Sequence, residues 1–76
     1  MSALNMCNIL RRAGYKPHAQ MMLMGERLEL ISYPFPLDNG LIACKVRELN
    51  DPTTMFEWVV PEHVINAAVQ SFGETK

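Results

Sequence analysis

Pro34 and Pro36 interrupt a segment that otherwise has the pattern of a β-strand, and they limit how that segment can pair with the strand after Asp38-Asn39-Gly40. A two-residue Asn39-Gly40 loop would point both prolines at the partner strand and lose up to two hydrogen bonds, at about 1 kcal/mol each. A three-residue loop with Gly40 in the left-handed conformation turns both prolines outward. We therefore predict the three-residue loop and a sheet edge or bend at this segment.

This loop also predicts which side chains share a face of the sheet. Leu37 opposes Leu41, and one face pairs Ser32 with Val46, Pro34 with Cys44 and Pro36 with Ile42. The other face is mostly apolar and carries Ile31, Tyr33, Phe35, Leu37, Leu41, Ala43 and Leu49, interrupted by Glu29, Lys45 and Arg47. Glu29 and Arg47 are expected to form a diagonal ion pair.

Helices are predicted at the two ends of the chain. Residues 3–13 follow Ser2, a good N-cap, and end before Gly14 and Pro17. Residues 61–72 begin with Pro61 at the first helical position and carry an apolar stripe at helical spacing. The C-terminal tail, residues 74–76, is expected to fray.

Further strands are predicted at residues 21–24, 27–33, 41–49 and 55–60, with turns at Gly25-Glu26 and at residues 50–53. Trp58 alternates with Phe56 and Val60, a spacing typical of a core-facing strand. The predicted fold is a single α+β domain over residues 1–76: an N-terminal helix, an antiparallel meander of three to four strands, and a C-terminal helix packed on one sheet face.

The two apolar sheet faces are the main functional signal of the sequence. A chain of 76 residues has two short helices, which can cover one face of such a sheet but not both. Closure into a small barrel, a second copy of the chain or another protein could cover the second face, and we favour a homodimer. The predicted contact surface contains Tyr33, Phe35, Leu37, Leu41 and Ala43, with the methionine-rich residues 21–24 as a possible extension.

A basic cluster at the end of the first helix supports an alternative function. Arg11, Arg12, Tyr15 and Lys16 could grip phosphates and stack a base, as in a small nucleic-acid-binding accessory factor. Against this alternative, the chain has a net charge of −1 and a pI near 6.0, so it lacks the overall basic character of most nucleic-acid binders.

Catalytic and metal-binding motifs are not found in the sequence. The possible ligands Cys7, Cys44, His18 and His63 form no local pair of the kind that zinc sites use, so we predict no metal, no cofactor and no enzymatic activity. The N-terminus does not resemble a secretory signal, and no apolar stretch is long enough to span a membrane. Two isolated cysteines fit a reducing compartment. The prediction is a cytoplasmic, non-enzymatic protein-interaction or regulatory module.

Overall fold

The computed structural model describes residues 2–73, so the predicted frayed tail lies outside the described residues. The elements in chain order are α1 (Ala3–Arg12), β1 (Gln20–Leu23), β2 (Glu26–Leu30), β3 (Phe35–Pro36), β4 (Ile42–Glu48), β5 (Met55–Val59) and α2 (Glu62–Phe72). The predicted α+β fold, with a helix at each end of an antiparallel sheet, is confirmed.

The sheet is a meander in which β2 and β3 act as one interrupted strand. Strand β1 pairs with β2, and both β2 and β3 pair with β4. Strand β5 pairs with β4 over Ala43–Arg47, which leaves β2 and β3 together on the opposite side of β4. The sheet therefore has four strand positions, as expected, with β1 and β5 at its two edges.

The predicted three-residue loop between β3 and β4 is confirmed. The Gly40 N–H donates to the Leu37 carbonyl at 3.0 Å, and the Leu37 N–H donates to the Leu41 carbonyl at 2.7 Å. Gly40 has φ +85°, the left-handed conformation that the loop needs and that glycine adopts without strain. Phe35 pairs with Ala43 and Pro36 with Ile42, in the predicted register.

The register predicted further along the same strand is wrong by two residues. Leu30, not Ser32, opposes Val46, and Glu29 stands directly opposite Arg47 rather than diagonal to it. The chain bulges between Leu30 and Phe35. Pro34 has no N–H to offer the ladder, and the Ser32 hydroxyl accepts the Lys45 N–H at 2.9 Å in place of a backbone carbonyl.

Helix α1 begins and ends close to the predicted positions. The Ser2 hydroxyl accepts the Asn5 N–H at 3.1 Å, a side-chain N-cap. At the other end Gly14 has φ +107°, and the Tyr15 N–H donates to the Leu10 carbonyl at 3.0 Å. This arrangement satisfies carbonyls that the end of a helix leaves free.

Among the boundaries that differ by one residue from the prediction are the start of helix α2 and the turn between β1 and β2. Helix α2 starts at Glu62, and Pro61 is its extended N-cap rather than its first residue. The turn between β1 and β2 is Met24-Gly25, both with positive φ, rather than Gly25-Glu26. A two-residue hairpin turn of this type requires a positive φ at both of its positions, and Met24 occupies the first.

Both helices pack on the same face of the sheet. The buried core joins Cys7, Ile9 and Leu10 of α1 and Ala68 of α2 to the sheet residues Leu28, Leu30, Ile42, Cys44, Val46 and Trp58. The predicted alternation of Ile42, Cys44 and Val46 toward the core is confirmed. The other side of the sheet, called the open face below, carries neither helix. No helix among residues 2–73 is both long and apolar enough to cross a membrane.

Candidate functional site

The open face has an apolar end next to the β3–β4 turn. Directly paired residues on antiparallel strands share a face, so Phe35, Ala43 and Val59 form one row across β3, β4 and β5. Leu37 and Leu41 form the next row toward the turn. These five residues are called the apolar patch below.

The patch is exposed mainly through its aliphatic side chains. Leu41 is 49% exposed and Val59 is 44% exposed, while Phe35 and Leu37 are partly buried. Ala43 lies at the centre of the row, between Phe35 and Val59, and is 0% exposed. Ala43 therefore belongs to the row but adds no exposed surface to the apolar patch.

A row of opposite charges follows the patch along the strands. Lys45 of β4 pairs in register with Glu57 of β5, and both residues are exposed. Among residues 2–73 neither side chain takes part in an ion pair. A shallow depression of about 300 Å³ opens beside this row, lined by Ile31, Lys45, Met55, Phe56 and Glu57.

The next row contains a buried, paired carboxylate. Glu29 accepts hydrogen bonds from the Arg47 Nε at 2.9 Å, and the Arg47 Nη2 lies 2.8 Å from the same carboxylate oxygen, Oε1. The His18 Nδ1 lies 3.2 Å from the other oxygen, Oε2. The hydrogen bond from Arg47, followed by that from His18, lowers the pKa of Glu29. These charges are compensated within the chain.

The predicted contact residues are only partly brought together. Phe35, Leu37 and Leu41 lie in the apolar patch, as expected. Tyr33 does not continue that face, because it lies in the bulge between β2 and β3 and its ring packs under the Arg11 guanidinium at 4.2 Å. Residues 21–24 belong to the edge strand β1 and the turn after it, with Met22 and Met24 exposed.

The residues of the nucleic-acid alternative are largely occupied by contacts within the chain. Arg11 stacks on Tyr33, and the Arg12 Nη1 donates to the Phe72 carbonyl at 3.3 Å. The Tyr15 ring stacks against Trp58, with 6.2 Å between ring centroids and 23° between planes. Of the four predicted residues, Lys16 is exposed and takes part in no ion pair among residues 2–73.

Among residues 2–73 the candidate nucleophiles and ligands form no group of three or more that could hold a metal ion. Cys7 and Cys44 are both buried in the core as free thiols. Burial raises the pKa of Cys7, and it raises the pKa of Cys44 to about 11. A thiol with such a pKa remains protonated at neutral pH and is a poor nucleophile. His63 is exposed in the first turn of α2, and His18 lies at the open face beside Glu29.

Val59 and Glu57 are the site residues that sequence reasoning missed. The predicted alternation of Phe56, Trp58 and Val60 toward the core already implies that the residues between them face the other way. What the sequence did not supply was the register of β5 against β4, which places Val59 beside Ala43 and Glu57 beside Lys45.

Comparisons with models of protein families, with curated proteins and with solved structures found no match for this chain.

Proposed function

We propose that this chain is a non-enzymatic protein-interaction or regulatory module that forms a homodimer through the apolar patch of the open sheet face. The single observation that carries the proposal is the row Phe35, Ala43 and Val59 beside Leu37 and Leu41, which lies outside the core cluster that the helices share with the sheet and in which Leu41 and Val59 are exposed. Aliphatic and aromatic side chains clustered on one surface gain free energy when they leave water, at roughly 25 cal/mol per Å² of apolar area.

A second copy is the occupant that this surface fits best. Two-fold dimers are the most common assembly of soluble proteins, and a small domain gains most from the extra burial. The net charge of −1 imposes little repulsion between copies. The charges next to the patch are of both signs, so the surface does not select a strongly acidic or strongly basic partner.

The proposed compartment is the cytoplasm. Its support is the state of the two cysteines, which lie buried as free thiols in the core rather than bridged. Domains of this size that work in oxidising compartments usually depend on several disulfides for stability.

The proposal is tested with aspartate substitutions on and off the patch. Leu41→Asp and Val59→Asp each place a carboxylate on the surface that the dimer would dehydrate, so we expect the dimer dissociation constant to rise at least about tenfold. Leu4→Asp is the matched control, because Leu4 is 65% exposed on helix α1 and does not belong to the apolar patch. Light scattering coupled to size-exclusion chromatography gives the mass of each variant.

Equal masses for Leu41→Asp, Val59→Asp and Leu4→Asp at every concentration would show that the apolar patch is not the interface. The substituted side chains are exposed and lie outside the core, so we expect every variant to fold. Circular dichroism on the same samples checks this.

A further inference from the structure

We propose that the free edge of strand β5 binds an extended segment of another protein as an added antiparallel strand, and that this segment carries a lysine or an arginine opposite Glu57. The main chain of β5 supplies the hydrogen bonds, and the Glu57 carboxylate supplies the selectivity. This inference goes beyond the proposed homodimer and does not depend on it.

The ladder between β4 and β5 determines which main-chain groups of β5 are free. The Val60 N–H donates to the Ile42 carbonyl at 2.8 Å, and the Glu48 N–H donates to the Thr54 carbonyl at 3.1 Å. Every second residue of an antiparallel strand bonds to the neighbouring strand, so the even-numbered residues of β5 direct their N–H and C=O groups to β4. The odd-numbered residues direct theirs away from β4: Met55, Glu57 and Val59.

No strand among residues 2–73 pairs with this edge of β5. Its only partner is β4, and β1 lies at the opposite edge of the sheet. The three outward residues are exposed, and so is Phe56, although it alternates with the buried Trp58 on the face that the helices cover. Apart from the charge of Glu57, residues 53–60 contain no proline, lysine or bulge to protect the edge. The edge is therefore open to a further strand.

A second copy of β5 fits this edge poorly, because each register of a two-fold antiparallel pair has a cost. A pair centred on Glu57 sets two like charges directly opposite each other. A shift by one step toward α2 places Met55 opposite Pro61, which has no N–H to donate. The same shift in the other direction places Val59 opposite Thr53, which lies in a turn rather than in the strand. Larger shifts pair fewer residues, so the edge favours a strand of different sequence.

Glu57 determines which strand of different sequence fits. It is exposed and takes part in no ion pair among residues 2–73. Its neighbour across the ladder is Lys45 of β4, so a cation on the added strand continues a row of charges that alternate in sign. Opposite charges on directly paired residues stabilise a sheet, and like charges destabilise it. The added strand therefore carries a lysine or an arginine at this position.

Phe56 sets a second preference. The residue of the added strand that follows the cation lies opposite Phe56, whose side chain is 41% exposed. Cross-strand pairs of aromatic side chains stabilise a sheet. The residues opposite Met55 and Val59 meet apolar side chains on the open face. The segment that fits best is therefore aliphatic at both ends, with a cation at its centre and an aromatic residue directly after the cation.

The blocked pentapeptide acetyl-Ile-Thr-Lys-Phe-Val-amide has this pattern and serves as the probe. It is titrated into full-length ¹⁵N-labelled protein and followed by heteronuclear NMR. We expect the Met55, Glu57 and Val59 amides to shift and to gain protection from hydrogen exchange. The Phe56 and Trp58 amides bond to β4 and should be protected with or without peptide. Absence of shifts at the three outward amides up to about 5 mM peptide would overturn the inference.

Methylation of single peptide nitrogens separates strand pairing from apolar adhesion. In the proposed alignment the N–H of the peptide lysine points at Glu57, and the N–H of the peptide threonine points away from β5. Methylation of the lysine nitrogen should weaken binding at least about tenfold, because it removes a hydrogen bond and separates the strands, whereas methylation of the threonine nitrogen should change binding less than about twofold. An equal loss for both peptides would contradict strand pairing.

Charge exchange tests the selectivity of Glu57. Glu57→Lys should bind the lysine peptide about fivefold more weakly than the wild type does, and should prefer a peptide with glutamate in place of lysine. Glu26→Lys is the matched control, since it changes the net charge equally at an exposed residue of β2. This control should keep the wild-type preference. Reversal by both variants, or by neither, would show that Glu57 does not select the partner.

The edge and the homodimer are tested independently. Leu41→Asp, which is expected to disrupt the apolar patch, should bind the pentapeptide as the wild type does, because Leu41 lies outside β5. Loss of peptide binding in this folded variant would mean that the peptide binds the patch rather than the edge. A wild-type protein that is monomeric yet binds the peptide at the outward amides overturns the homodimer and leaves this inference standing.

Discussion

Glu29 is a buried carboxylate in a row whose other charged side chain, Arg47, is partly exposed. Its two oxygens are divided between Arg47 and His18, and these contacts hold the pKa of Glu29 below its ordinary value of 4.5. A carboxylate whose pKa is lower in the folded chain than in the unfolded chain stabilises the fold when it is ionised. That contribution is fully present above the unfolded value and disappears as the pH falls through the folded value.

We therefore predict that Glu29→Gln lowers the thermal stability at neutral pH and flattens its pH dependence. The stability difference between wild type and variant should shrink as the pH is lowered from about 6 to about 3, because protonation removes the same charge that the substitution removes. Thermal melts followed by circular dichroism at a series of pH values measure this difference. Glu26→Gln, at an exposed carboxylate outside any ion pair among residues 2–73, is the control. A Glu29→Gln difference that stays constant with pH would contradict the account.

At the scale of elements, the hairpin between β1 and β2 requires a backbone conformation that does not suit the residue at its first turn position, Met24. Met24 has φ +52° in the first turn position and is 95% exposed, so its side chain gains no packing there. Left-handed backbone is costly for most residues and mild for asparagine. We expect Met24→Asn to raise the free energy of unfolding by on the order of 1 kcal/mol, and Met24→Val to lower it. Urea unfolding of both variants measures the change. Equal stability of Met24→Asn and Met24→Val would show that this turn is not strained.

The elements also show which parts of the fold were predictable from sequence. The Gly40 loop was predictable because proline and glycine restrict the backbone locally, whatever the rest of the chain does. The bulge after Leu30 was not, because it depends on contacts between distant residues. The Ser32 hydroxyl accepts the Lys45 N–H, and Tyr33 packs against Arg11 of helix α1. Neither contact leaves a pattern in the sequence.

In the molecule as a whole, the two helices cover one face of the sheet and leave the other face open. That the helices cover only one face of the sheet was predictable, because the chain has only two short helices and both faces of its strands carry apolar residues. The composition of the open face was predicted in part: Phe35, Leu37 and Leu41 share it, whereas Tyr33 leaves it at the bulge. Val59 joins it only through the β4–β5 register, which the loop between these strands sets.

The proposed association connects these scales. The Gly40 loop sets the register of β3, the register brings Phe35 and Leu37 beside Leu41 and Val59, and the resulting patch stands next to uncompensated charges. If the patch is covered by a second copy, the stability of the domain becomes dependent on protein concentration.

Sedimentation equilibrium of the wild-type protein from about 1 to about 100 µM tests this account most directly. We predict that the weight-average mass rises with concentration from that of one 8.6 kDa chain toward that of two. A mass that remains that of a single chain over the whole range would contradict the central claim, because the open face would then be stable in water without a partner.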